Sequence, residues 1–158
     1  MPESKKVHES RTSMTQLVLP NDANTYGNVL GGKVMHWIDL TGAIAAFRHS
    51  RKPVVTVSVD TLRFHHPVKV GEVLLLEAAV TRAFRTSMEV RVEVHSEDLL
   101  TGARIRTCSA FLTFVAIDAA GRSTEVPAVI PETEGEKRDY ERALERRDYR
   151  LRVAEQES

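Results

Sequence analysis

The chain has 158 residues, 42% of them hydrophobic, with one cysteine, and its 22 Lys plus Arg balance 22 Asp plus Glu. That length carries one domain with a proper core, and zero net charge leaves no global field to draw the protein to nucleic acid or to an anionic membrane. A single cysteine excludes an internal disulfide framework, no run approaches the roughly 20 apolar residues of a membrane-spanning helix, and residues 1–11 lack the apolar segment of a signal peptide, so the expected compartment is the cytoplasm.

In chain order, residues 1–10 are polar and charged and read as a disordered tail ahead of a domain over 11–131. Residues 12–19 suit a first strand closed by Pro20. Residues 21–32 are rich in Asn, Asp and Gly, which tolerate unusual backbone angles and bond locally, so an ordered loop is expected there. It runs into a stretch where Val34, Met35, Trp37, Ile38, Leu40, Ala43, Ile44, Ala45, Ala46 and Phe47 leave almost no polar stripe. This predicts a long helix over 33–50, enclosed on nearly every side and ended near Pro53.

From there the period changes to two. Val55, Val57 and Val59 alternate with Thr56, Ser58 and Asp60, and this strand continues to Phe64 before His65, His66 and Pro67 break it. Residues 72–84 form a second long strand, apolar on both faces. Met88, Val90, Val92 and Val94 alternate with Glu89, Arg91, Glu93 and His95, the pattern of a half-exposed strand, and 104–117 form the last. Short connections carrying Gly71, Gly102 and Gly121 suit an antiparallel meander. After Pro127 and Pro131, residues 132–158 are dominated by charge with a thin stripe at Tyr140, Leu144 and Leu151, which suits a charged C-terminal helix or tail. The fold class expected is α+β, a long antiparallel sheet of about five strands wrapped around one central helix. Its free edge strand calls for a second copy of the chain, hence a homodimer.

One carboxylate, Asp39, interrupts the apolar helix. At about 100° per residue it shares a face with Met35, Gly42, Ala43 and Ala46. An unpaired buried charge costs several kcal/mol, so this acid is paired, hydrogen-bonded or open to a water-filled cleft, and the cleft is the favoured reading. A structural carboxylate bonded to a neighbouring loop is the alternative. Gly31 and Gly32, at the helix start, allow a ligand close to free N–H groups and a positive partial charge, which makes them oxyanion-hole candidates, Gly32 ahead of Gly31. By composition alone Asn24 is a turn residue. His65 and His66 lack a third ligand within reach, so no metal site is expected. Cys108 reads as a buried apolar residue, and no G-x-S-x-G elbow supports a serine hydrolase.

The run Asp22-Ala23-Asn24, Gly27-Asn28 and Gly31-Gly32, then Asp39, Gly42 and Arg48-His49, resembles the acyl-CoA thioesterase (acyl-CoA hydrolase) family of hot-dog proteins. Ser58-Val59-Asp60 with Phe64 and His65, and residues 86–90, add to it, so the resemblance spans roughly 12–117. Leu30 departs from members that carry His before the glycine pair, which bears on substrate preference. The resemblance implies that Asp39 is the general base or the nucleophile, and that Asn24 positions water or the thioester carbonyl. The two residues would come from opposite subunits of a homodimer, the minimal active unit, with a trimer of dimers as the larger assembly. It also implies that coenzyme A lies along Thr56, Val57 and Ser58 and against Arg85, Thr86 and Ser87, with Arg48 and His49 as weaker candidates. No cofactor is required, since coenzyme A belongs to the substrate and leaves as a product. A thiol of pKa near 8.5 departs as thiolate without a strong acid. Two competitors are a hot-dog dehydratase acting on 3-hydroxyacyl thioesters, for which His36 is the only histidine beside Asp39, and a non-catalytic acyl-CoA-binding protein.

Overall fold

The computed structural model describes residues 3–157. Its strands are β1 (Lys5–Lys6), β2 (Thr12–Leu17), β3 (Val54–Phe64), β4 (Val73–Ala83), β5 (Ser87–Glu97), β6 (Arg104–Ala116) and β7 (Val129–Ile130), and its α-helices are α1 (Gly31–Ser50) and α2 (Glu134–Glu157). Five strands make one antiparallel sheet in the order β2-β4-β5-β6-β3, while β1 and β7 form a short parallel pair. The long strands fall within a few residues of their predicted bounds, and the sheet carries α1 on one face, as the hot-dog arrangement requires.

The alternation in β5 and β6 decides which face that is. Met88, Val90, Val92 and Val94 with Ala110, Leu112 and Phe114 are fully buried and line the inner face, opposite Val34, Ile38, Ala45 and Ala46 of α1. Each large side chain buried this way contributes about 1.5–3 kcal/mol. Helix and sheet approach closely at Gly42, where a Cβ would lie 3.3 Å from the Phe114 ring. Glycine inside a helix costs about 1 kcal/mol relative to alanine, and this contact is the reason for it.

The expectation of a helix enclosed on nearly every side holds only toward the sheet. Met35, Leu40 and Phe47 of α1 are exposed, and beside them the edge strand β3 exposes Val55, Val57 and Val59. The apolar pattern of α1 therefore encodes more burial than one chain supplies.

Two bulges in β3 break the strict alternation read from its sequence. Thr56 pairs with Phe114 and Ser58 with Thr113, so Val57 is bulged out, and a second shift lies between Asp60 and Arg63, where Thr61 has φ +54°. Paired residues share a face of the sheet. Thr56, opposite Phe114, thus faces α1, whereas Ser58 and Asp60, opposite Thr113 and Phe111, face outward, and Phe64, opposite Cys108, turns inward again.

Residues 3–10 are not the disordered tail expected. A 3₁₀ turn over Val7–Ser10 buries Val7 in the core, and Ser10 Oγ accepts the Val80 N–H at 2.9 Å just beyond the last β2 pair. One valine and one serine within a charged run make this anchor; residues 1 and 2 lie outside the described residues.

Helix α2 lies on the outer face of the sheet, and its grip comes from arginines. Arg146 donates to both Glu89 oxygens at 2.8 Å and stacks 3.8 Å from the Phe111 centroid. Arg91 reaches Asp139 at 2.8 Å, Arg82 lies over the Tyr140 ring, and Arg150 meets Asp60 at 3.5 Å. Tyr140 packs against the core, but Leu144 and Leu151 of the expected stripe stay exposed. No described helix is long and apolar enough to cross a membrane.

Candidate active site

Helix α1 presents Asp39 on its uncovered side, half-buried, where Thr56 Oγ1 of β3 donates to Oδ1 at 2.7 Å. Among the described residues no backbone amide bonds this carboxylate. The loop-bonded structural alternative therefore finds no partner, and the acid faces the open side of the helix.

Asn24 makes the turn that its composition suggested. Its Oδ1 accepts the N–H groups of Tyr26 at 2.9 Å and Asn28 at 3.1 Å, and its own N–H reaches Asn28 O at 2.8 Å. The side-chain Nδ2 has no partner among the described residues, so the turn fixes the side chain while leaving a donor free. Asn24 and Asp39 share no hydrogen bond within the chain. The loop is tied to the helix by buried Asp22, which the sequence reading quoted in its motif without giving it a role. Its Oδ2 accepts Leu19 N–H at 3.0 Å, its backbone O accepts Leu30 N–H at 2.8 Å, and Lys33 Nζ lies 3.4 Å from Oδ1. The signal was an acid closing the Pro20-Asn21-Asp22 turn just ahead of the glycine pair.

At the start of α1, Lys33 and Val34 N–H both bond Leu30 O, so the N–H groups of Gly31 and Gly32 come before the first helical bonds. Both glycines are exposed, and neither N–H has a backbone acceptor among the described residues. Two free donors at a helix N-terminus suit an oxygen that becomes negative. Beside them opens a cavity of about 330 Å³ whose walls include Val29, Gly31, Val34, Phe64, Pro67 and Val68.

The residues expected along coenzyme A do not present one surface. The Thr56 hydroxyl is occupied by Asp39, Val57 is the bulged residue, and Ser58 lies outward, 3.4 Å from Asp60. The bulge separates them, which alternation alone could not show. Arg85, Thr86 and Ser87 form the β4–β5 turn, closed by Phe84 N–H to Ser87 O at 2.8 Å. Ser87, Val115 and Val55 lie in one row across β5, β6 and β3, so this turn and the start of β3 share one end of the sheet, about 10 Å apart. Arg85 is exposed there with no ion-pair partner among the described residues.

Arg48 and His49, the weaker candidates, have structural work instead. Arg48 Nη1 donates to Arg11 O at 3.0 Å and Thr12 Oγ1 at 3.1 Å, while His49 is fully buried with Nε2 2.7 Å from Pro127 O. Burial holds the His49 pKa below its usual value. Cys108 is also fully buried, and desolvation pushes its thiol up to about 11. No group of three or more His, Cys, Asp or Glu among the described residues could hold a metal ion.

Comparison with known proteins decides the family. The thioesterase superfamily matches residues 26–103. Over 149 residues the chain is 40% identical to the uncharacterized acyl-CoA thioester hydrolase YkhA of Bacillus subtilis, covering 94% of this chain and 87% of that one. The chain belongs to the thioesterase superfamily. Solved structures of acyl-CoA thioesterases agree with that membership across the whole fold. An apo-hexameric acyl-CoA thioesterase superposes with a TM-score of 0.93 at 48% identity, covering 96% of this chain and 97% of that one. An acyl-CoA hydrolase of Staphylococcus aureus in complex with butyryl coenzyme A superposes with a TM-score of 0.89 at 36% identity, covering 97% and 95%. That enzyme is also solved with alanine in place of an aspartate, an asparagine and a threonine. The resemblance drawn from the sequence is borne out.

Proposed function

We infer that the protein is an acyl-CoA thioesterase that converts acyl-CoA and water to a free carboxylic acid and coenzyme A, with Asp39 as its working carboxylate. The observation that carries this reading is the Thr56 hydroxyl on Asp39 Oδ1 at the open side of α1, which fixes the acid without sealing it. In the alanine variants of the Staphylococcus aureus enzyme, the asparagine precedes the aspartate by 15 residues and the threonine follows it by 17. Those are the separations of Asn24, Asp39 and Thr56 here.

The thioester carbonyl oxygen lies against the Gly32 and Gly31 N–H groups, and the Asn24 amide orients the carbonyl or the attacking water. Asp39 accepts a proton as the water oxygen bonds the carbonyl carbon, and the N–H groups meet the charge that moves onto the carbonyl oxygen. Collapse of that intermediate breaks the C–S bond. The coenzyme A thiolate leaves and takes the proton back, so no cofactor and no separate acid are needed. Direct attack by Asp39 through an anhydride reaches the same products. Label found in the Asp39 carboxylate after single turnover in ¹⁸O water identifies an anhydride hydrolysed at Asp39, since direct attack of water on the thioester places label in the product acid alone.

Asp39 and the exposed valines of β3 lie on the surface a second copy would cover, so the site is completed in a homodimer with Asn24 and Asp39 on opposite subunits. A trimer of dimers is the further assembly, Arg85 with Thr86 and Ser87 meets the coenzyme A phosphates or adenine, and the compartment is the cytoplasm. Incubation with an acyl-CoA panel and a thiol-reactive dye tests the activity. Thiol release with free acid supports hydrolysis. A hydrated or dehydrated acyl-CoA, or saturable binding without turnover, contradicts it.

A further inference from the structure

We propose that Phe64 is the acyl-length determinant of this thioesterase, its ring forming the movable wall of the cavity at the start of α1, so that the chain selects short acyl groups over long ones. This rests on the activity inferred above and adds a residue role to it. The ring lies 3.8 Å from where a Cβ would stand on Gly31, beside the free N–H groups that take the thioester oxygen. An acyl chain leaving that carbonyl enters the cavity whose apolar side is Val29, Val34, Pro67, Val68 and the ring itself, with Asn28, His65, His66 and Thr107 on the rest of its lining. Val34 and Val68, each 1% exposed, are packed into the core and cannot yield, whereas Phe64 is half-exposed. The volume, about 330 Å³, is at the small end for a ligand cavity and suits a short chain.

The backbone is bent to put the ring there. Strict alternation from Asp60, which faces outward opposite Phe111, would also carry Phe64 outward, away from α1. The extra residue between Asp60 and Arg63 reverses it, and it does so through Thr61 at φ +54°. A β-branched residue in the left-handed region costs of order 1–3 kcal/mol and persists where the surroundings impose it, typically at functional sites. A bulge that re-aims one side chain beside a site is a recurring use of this irregularity. His65 N–H, bonded to Thr107 O at 2.7 Å, pins the chain immediately after the ring.

The test is kcat/KM over straight-chain acyl-CoA from two to twelve carbons for the wild type, Phe64→Ala and Phe64→Leu, with thermal melting to confirm folding. Wild-type kcat/KM should peak at short chains. Phe64→Ala should raise the ratio of long-chain to short-chain kcat/KM by about tenfold or more, with Phe64→Leu between, as expected for added apolar room in a pocket. Inhibition by free coenzyme A should not change. A wild type that prefers long chains, or variants that scale every chain length by one factor, overturns the proposal while leaving the hydrolase reading intact. Absence of thiol release from every substrate in the wild type defeats the hydrolase reading itself.

Discussion

Thr56 Oγ1 donates to Asp39 Oδ1 across 2.7 Å, joining the exposed edge strand to the central helix at the side neither covers. Only the bulge at Val57 lets Thr56 face inward while Ser58 and Asp60 two and four residues on face outward. Removing a hydrogen bond to a charged group costs about 1.5–3 kcal/mol. Thr56→Val should therefore lower kcat by roughly ten- to hundredfold with Thr56→Ser retaining most of it, as read by thiol release at saturating acyl-CoA. Equal turnover in Thr56→Val would show that the bond does not orient the acid.

Asp39→Asn keeps the shape and the bond from Thr56 but removes the charge. It should lower kcat by about 10²–10⁴, the usual worth of a general base, while the melting temperature stays within a few degrees of wild type. Steady-state kinetics beside a thermal melt checks both halves.

Glu89 is 3% exposed and holds Arg146, with Thr81 Oγ1 donating to it at 2.6 Å. Removing one partner of a buried pair leaves a charge unmatched and typically costs 3–5 kcal/mol. Arg146→Met should destabilise the chain on that scale in urea unfolding, and Glu89→Gln with Arg146→Met together should cost less than the sum of the two. Additive losses would mean the residues act independently.

Stability should fall with acidification through His49. Its folded pKa lies below the unfolded value because burial disfavours the charged ring, with the bond to Pro127 O opposing. The unfolded chain therefore binds a proton first, and stability present above about pH 6.5 is lost as pH drops below it. Unfolding free energy measured from pH 8 to 5 should decline less steeply in His49→Gln than in wild type.

Cys108, with its thiol at about 11, should resist a thiol reagent at pH 8 in the native protein and react at once in denaturant, and Cys108→Ala should keep full turnover. Rapid native labelling with loss of activity would place the thiol in a site.

Much of this was legible in the residues. Period-two runs and one stretch apolar on both faces located four long strands, and the apolar run after Gly31-Gly32 located α1 with Asp39 inside it. The rest depended on partners far away in the chain. Val7 looks solvated until the inner core receives it, and Arg48 and His49 look available until Thr12 and Pro127 take them. The segment of α2 reads as a charged helix or tail with no visible docking face, because its grip comes from arginines on Glu89, Asp60 and aromatic rings rather than from leucines. Bulges add one residue without leaving a composition signal, so the split of Thr56 from Ser58 and the inward turn of Phe64 could not be read from alternation.

Asn24 and Asp39 are proposed to act on one thioester from two copies of the chain. Co-refolding inactive Asn24→Ala with inactive Asp39→Ala creates mixed dimers holding one site with both residues native, so turnover should return to about a quarter of wild type at equal mixing. A mixture no more active than its two parents, with exchange of subunits confirmed by mass, would contradict it.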